Sequence, residues 1–275
     1  MANNRHNLSR YFTVEVKPEI APNIGYLAAF TANDLLFDWE SFKLPSGGSR
    51  LIGITAVVRS NDGADQTCAM DLFFARQAYN NGDITDGTAP VSMGTQHADP
   101  TINPANPYWD QVIGHAKLTA DNFSTAGAIE SGMTVGTTGY HASTGATAGL
   151  TAQSPLVFEE YGSAPGDGFY TFYVGATCIG TPNFDSNLAY ASGTGGNDLT
   201  CDGTDARKIL APGDRIKAYD ISADDGTVLD IGTVGTIPDA TSVLLASSAT
   251  NTDALADGDL IFNINPIKLI LTFER

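Results

Sequence analysis

The sequence is short of charged residues, and the shortage falls on the cations. Charged residues make up 16% of its 275 positions, against about 25% in an average globular domain. Lys and Arg together number 14 and Asp and Glu number 31, which gives a formal net charge of −17 at pH 7. A chain this negative repels phosphate backbones and anionic lipid surfaces. We therefore expect no binding to nucleic acid and none to a membrane.

Long apolar runs and cysteines are also scarce. No apolar run reaches the length of about eighteen residues that a transmembrane helix needs. The polar start MANNRHNLSR lacks the apolar segment of a secretory signal, so we expect a protein that is made as a soluble product or was processed before this numbering begins. Three cysteines, Cys68, Cys178 and Cys201, are too few for a disulfide framework. Burial as small apolar side chains is one interpretation, and a bridge between Cys178 and Cys201 is the other.

Strand signals dominate what is present. Hydrophobic residues make up 42% of the chain, with 13 Phe and 10 Tyr, which is enough apolar surface to build a core. β-branched and aromatic residues concentrate in segments of strand length. The turn cluster at 61–65 predicts that 50–76 forms one long hairpin. Aromatic residues on both faces of 169–174 predict a strand in the centre of a sheet.

The pattern changes after residue 205. Four short strand-like segments follow, separated by Asp/Gly turns at regular intervals, which is typical of a small barrel. The last segment, 266–273, alternates apolar and polar residues and is expected to return to the first sheet. We predict an all-β fold, a β-sandwich or jelly-roll-like body with an inserted small β-barrel near the C-terminus. The predicted divisions are an N-terminal arm with the first strand (1–18), a main β-sandwich with long loops (19–205), the barrel (206–263) and the terminal strand (264–275).

Motifs that carry chemistry are missing. Residues 220–226 and 81–87 resemble calcium loops, but each has its Gly one place late and no Glu at the twelfth position. The four histidines are far apart in sequence and belong to no zinc motif. No nucleophile motif and no phosphate-binding glycine loop occurs. We expect no metal site, no cofactor and no catalytic residues, and hence no enzyme.

The few cations are unevenly distributed. The first 60 residues carry six cations and five acidic residues, whereas the other 215 carry eight and 26. No Lys or Arg lies between Lys117 and Arg207. This division suggests that the near-neutral end contacts a partner and the acidic middle faces solvent. The residues we expect to dock are Arg5, Arg10, Tyr11, Phe12 and Lys17, with strand 11–16 adding to the edge of a partner sheet.

A second kind of binding site is possible in the long irregular region 77–110. Tyr108, Trp109 and Asp110 lie there in a loop rich in proline. An indole stacks on sugar rings and a carboxylate accepts hydrogen bonds from hydroxyl groups, so these residues suggest glycan contact. The alternative is that Trp109 simply anchors the loop to the core.

Several segments carry a resemblance to a known group of proteins. They are FDWESFKLP at 37–45, DLFFA at 71–75, ARK at 206–208 with PGD at 212–214, and the ending NPIKLILTFER at 265–275. Together they resemble virion structural proteins of marine tailed phages, especially cyanophages. The resemblance covers both ends and most of the chain, without the Gly/Thr-rich region 124–153, and it matches a general pattern with no catalytic signature.

The resemblance implies a non-enzymatic particle component, and we expect an outer capsid decoration (cement) protein that stabilises the shell. The alternatives are a neck, tail or baseplate component, or a module that binds glycans on the host surface. As partners we expect the major capsid protein or other virion subunits, and a homotrimer, which suits the local threefold positions of a shell. The expected location is the outer surface of the virion, after synthesis in the host cytoplasm.

Overall fold

The computed structural model of the protein describes residues 10–22, 29–59, 68–77, 79–80, 83–84, 89–100, 111–125, 130–136, 156–159, 168–192, 197–219, 228–247 and 255–275. Nearly all regular structure in these ranges is β-strand. Two sheets share one hydrophobic core, and a closed barrel with its own core is inserted before the last strand. The predicted fold class, an all-β body with an inserted small barrel, is confirmed.

The larger sheet of the body has six strands. Its order is β1 (Tyr11–Val16), β18 (Ile267–Glu274), β3 (Ser49–Arg59), β9 (Glu130–Gly136) and β8 (Phe123–Thr125), with β10 (Leu156–Phe158) also paired to β3. All pairs are antiparallel. Strand β18 lies between β1 and β3, and buried and half-buried residues alternate along its whole length. This alternation places Ile267, Leu269, Leu271 and Phe273 in the core.

The second sheet has four antiparallel strands. Its order is β2 (Leu35–Pro45), β11 (Phe169–Cys178), β4 (Met70–Arg76) and β7 (Val112–Leu118). Strand β11 pairs with β2 on one side and with β4 on the other, so the prediction of a central strand there is correct. A separate two-stranded ribbon joins β5 (Tyr79–Asn80) to β6 (Asp83–Ile84).

The prediction of one hairpin over 50–76 is wrong. Strand β3 belongs to the six-stranded sheet and β4 to the four-stranded sheet. Both strands have an apolar face, and these faces belong to one core, as Ile54 and Phe74 illustrate. Placing the strands in opposite sheets lets both apolar faces be buried against each other, which a hairpin within one sheet would not achieve.

Five phenylalanine rings form the centre of the body, and Phe158 contacts the other four. Its ring centroid lies 5.9 Å from Phe42, 5.5 Å from Phe74, 5.3 Å from Phe172 and 5.3 Å from Phe273. The interplanar angles range from 64° to 88°, which is the edge-to-face arrangement that aromatic rings favour. Phe158 therefore joins both sheets at one point.

The barrel closes with six strands. Their order is β12 (Asn187–Ser192), β13 (Asp198–Asp202), β16 (Ser242–Leu245), β15 (Val228–Thr236), β14 (Arg215–Tyr219) and β17 (Leu260–Asn263), which pairs back to β12. A short helix, α1 (Ala206–Ile209), follows β13 and has Asp205 as its N-cap. The predicted boundary at residue 206 lies inside this barrel. Without β12 and β13 the edges of β16 and β17 would be unpaired, so closure requires the two earlier strands.

All three cysteines are free and buried, so the suggested bridge between Cys178 and Cys201 is wrong. Cys178 lies in the core of the body and Cys201 in the core of the barrel. Burial raises the pKa of each of these two thiols to about 12, and the pKa of Cys68 is also raised well above its usual value by burial.

We expect none of the three thiols to react with Ellman's reagent in the folded protein near neutral pH. The thiolate is the reactive form, and burial both suppresses it and blocks the reagent. Titration before and after unfolding in guanidinium chloride should give no reaction and then reaction of all three cysteines. Rapid reaction of any one of them under native conditions would contradict this burial.

Candidate functional site

The residues predicted to dock at the N-terminus do not form one surface. Arg5 lies outside the described residues. Tyr11 points outward with 53% of its surface exposed, and the Arg10 guanidinium carbon lies 5.9 Å from the centre of its ring while pairing with the Glu274 carboxylate. Phe12 faces the other way and stacks on Phe273, with 5.6 Å between ring centroids. Phe12 is therefore packed against the core and is not an exposed docking residue.

Lys17 lies beyond the opposite end of β1. A strand of six residues spans about 20 Å, which separates Lys17 from Arg10 and Tyr11. Its Nζ is 3.6 Å from a carboxylate oxygen of Asp214 on the barrel. The predicted docking set thus divides into an exposed pair, Arg10 and Tyr11, and a lysine that contacts the barrel.

No described strand pairs with the second edge of β1. Among the strands that the structure describes, β1 is at the end of the six-stranded sheet and pairs with β18 alone. The Arg275 N–H donates to the Arg10 carbonyl at 2.9 Å, and the register of β1 with β18 is unbroken. Because hydrogen-bonded and non-hydrogen-bonded pairs alternate in an antiparallel ladder, the backbone groups of Thr13 and Glu15 point away from β18. These groups form an open edge that another strand can pair with.

A network of polar contacts joins the body to the barrel just after β1. The Glu19 carboxylate pairs with Arg215, at 3.0 Å, and with Lys217, both on β14. Arg215 also pairs with Asp230 at 2.5 Å. The Ile20 N–H donates to the Ile264 carbonyl at 2.8 Å, which ties the same segment to the end of β17. The sequence gives no local sign of the contacts between Glu19 and β14, because these partners are far apart in the chain.

Beside this network lies a cleft of about 610 Å³, which we call the junction cleft. Its lining includes Asp38, Trp39 and Glu40 of β2 together with Glu19 and Lys217. The pairing of β2 with β11 shifts by one residue at Asp38–Trp39, so β2 has a bulge there. A bulge redirects side chains, and here it lies where β2 lines the cleft. The cleft holds more negative than positive groups.

The pKa of Glu40 is raised by this environment. Burial of the carboxyl is the largest cause, and the negative charges of Glu19 and Asp38 act in the same direction. The backbone N–H of Glu19, 3.4 Å from Glu40 Oε1, acts against them without cancelling them. A carboxyl with a raised pKa binds its proton more tightly in the folded state, so its ionisation destabilises the fold.

We expect Glu40→Gln to stabilise the protein at neutral pH. The free energy of unfolding of the wild type should fall as pH rises from the ordinary Glu pKa through the higher pKa of the folded state, and the Gln variant should lack this fall. Urea unfolding at neutral and at acidic pH measures the difference, which should disappear in acid. Glu15→Gln, at an exposed position of β1, is the charge-matched control. A Glu40→Gln variant less stable than wild type at neutral pH would contradict the assignment.

The described residues form no metal site, and the residues suggested for glycan contact lie outside them. Among the described residues no three His, Cys, Asp or Glu side chains are grouped so as to hold a metal ion. The two loops that resemble calcium sites lie largely outside the described residues, and so do Tyr108, Trp109 and Asp110. In the part of the chain that the structure describes, no helix has the length and apolar character to span a membrane.

Comparison of the chain with known protein families, with curated proteins and with solved structures finds no match.

Proposed function

We propose that the protein is a non-enzymatic structural subunit of a phage particle, specifically an outer capsid decoration protein that stabilises the shell through subunit contacts. The resemblance of its sequence to virion structural proteins of marine tailed phages suggests the class. The open edge of β1 is the observation that supports an attachment role most strongly.

An open strand edge suits a subunit that attaches to many equivalent positions. Main-chain hydrogen bonds give the affinity when a partner strand adds to such an edge, and side chains beside it give the specificity. Tyr11 is exposed next to this edge, and aromatic side chains are enriched at protein interfaces. The partner in this proposal is the major capsid protein or a neighbouring virion subunit.

The charge along the sequence supports attachment by the segment that carries β1. The first 60 residues have a net charge of +1, and the other 215 have −18. Like charges on the surface that faces away from the shell keep neighbouring subunits and particles apart. We also propose that the subunit forms a closed homotrimer, because closed symmetry is usual for such subunits.

Quantifying the chain in purified particles of the phage that encodes it tests the proposal. A decoration protein should be present at a ratio near one to the major capsid protein, or at a simple fraction of it. A few copies per particle would instead favour a neck, tail or baseplate component. Absence from the particle would refute a structural role.

The adhesion alternative makes a separate prediction. Purified protein would then bind specific glycans on an array saturably, and Trp109→Ala would weaken that binding. The same array without any signal would leave the structural role as the better account.

A further inference from the structure

A small pocket of about 220 Å³ opens where the barrel meets the six-stranded sheet, and we call it the junction pocket. It is distinct from the junction cleft, with a different lining. Its residues come from the segment after β1, from β3 and β18, and from the turn before β14. The lining comprises Lys17, Val57, Arg59, Ala211, Pro212, Asp214, Asn265, Pro266 and Lys268.

The charge of this lining is opposite to that of the whole chain. Lys17, Arg59 and Lys268 bring three cations together, and Asp214 is the one carboxylate among the lining residues. The whole chain has 14 cations against 31 acidic residues. Three of those 14 therefore meet in one small pocket, and their field attracts anions.

Asp214 offsets only part of this positive charge, because one carboxylate faces three cations. Its carboxylate accepts hydrogen bonds from the Ala211 N–H at 2.9 Å and from the Asn263 amide at 3.0 Å. Lys17 and Arg59 form ion pairs with it at 3.6 Å and 3.8 Å, which is longer than hydrogen-bond distance. The buried carboxylate is thus satisfied by neutral donors, and the ammonium of Lys17 keeps donors for another acceptor.

Lys268 is a second cation of the junction pocket that can contact an anion. It lies on β18 directly opposite Val57 of β3, and it forms no ion pair with a described carboxylate. Val57, Pro212 and Pro266 supply apolar walls around it. Such walls reduce the local dielectric constant and so strengthen the attraction between Lys268 and an anion.

We infer that the junction pocket binds an oxyanion, that is, a carboxylate, phosphate or sulfate group. Lys17 and Lys268 are the residues that contact it. The pocket is smaller than the roughly 300–1,000 Å³ of sites for whole small-molecule ligands. Its occupant is therefore a free inorganic anion or the tip of an acidic side chain on a partner. This inference goes beyond the proposed function and does not depend on it, because the purified chain alone tests it.

Isothermal titration calorimetry on the full chain with inorganic phosphate, at constant ionic strength, is the first test. We expect saturable binding that Lys268→Gln weakens about five- to tenfold, the usual effect of losing one charged contact. Lys43→Gln is the control, because it removes one cation from β2 in the opposite sheet. A second titration with an acetylated, amidated Gly-Asp-Gly peptide identifies the source. Tighter binding of the peptide indicates a partner's acidic side chain, and tighter binding of phosphate indicates a free anion.

Val57→Glu provides a test that does not remove a cation. It places a carboxylate beside Lys268, its cross-strand neighbour, and should abolish binding of both probes by occupying the pocket. Val57→Gln, similar in size and neutral, should retain binding. If wild type binds neither probe, or if Lys268→Gln and Val57→Glu both bind as wild type does, the pocket is not an oxyanion site.

Discussion

If the protein attaches to a phage particle through β1, as we propose, replacing Thr13 with proline should abolish this attachment and leave the fold intact. The Thr13 N–H points away from β18 toward the open edge of β1, by the alternation of the ladder. Proline removes this donor and puts its ring where a partner strand must approach. It breaks no bond between β1 and β18, and edge strands tolerate proline at such positions. The free energy of unfolding should therefore change by about 1 kcal/mol or less.

The purified variants are mixed with phage shells that were prepared without this protein. Co-sedimentation with the shells measures the binding. Thr13→Val is the matched control, because it keeps both the N–H and the preference for strand structure. Val14→Pro is the contrasting variant, since the Val14 N–H points toward β18 and its loss should destabilise the sheet. If Thr13→Pro binds shells as well as Thr13→Val does, attachment does not use the edge of β1.

The largest loss of stability should come from Phe158→Ala. Phe158 is 1% exposed and contacts four other phenylalanine rings, one each on β2, β4, β11 and β18. Its truncation leaves a cavity between the two sheets, which costs about 3–5 kcal/mol of unfolding free energy. Denaturant unfolding followed by tryptophan fluorescence or circular dichroism measures the loss.

Phe169→Ala is the control for this effect. Phe169 lies on β11 of the same body, but 42% of its surface is exposed. Its truncation should cost about 1 kcal/mol or less, because little buried area is lost. Equal losses for the two variants would show that the aromatic cluster does not form the centre of the core.

Local alternation in the sequence was sufficient to predict several strands. In β18, apolar residues at every second position from Ile267 to Phe273 indicated one buried face, and that face lies in the core. The two-sided aromatic pattern of β11 indicated a strand covered on both faces. Patterns of this kind depend only on neighbouring residues, so they can be recognised without knowing the fold.

Sheet membership could not be predicted in the same way. The segments that became β3 and β4 are compatible with a hairpin or with strands in two sheets, because both arrangements have the same alternation. The decision depends on partners distant in sequence, such as β18 for β3 and β11 for β4. Strands β12 and β13 were missed as barrel strands because closure of the barrel, with β17 beside β12, is also a long-range contact.

The site could be predicted only in part. The sequence predicted a strand over 11–16, and alternation alone would have separated Tyr11 from Phe12, which face opposite sides of the sheet. No local signal showed that Lys17 meets Asp214 across 197 positions, or that Lys268 joins them. Positive side chains near the N-terminus suggested one docking surface, whereas folding divides them between the end of β1 and the barrel.

A reconstruction of the decorated particle by electron cryo-microscopy tests attachment through β1 most directly. We predict that a strand of the major capsid protein or of a neighbouring virion subunit lies along the open edge of Tyr11–Val16, hydrogen-bonded to the backbone of Thr13 and Glu15. A reconstruction in which the protein is attached through another surface, with this edge open to solvent, would contradict the account.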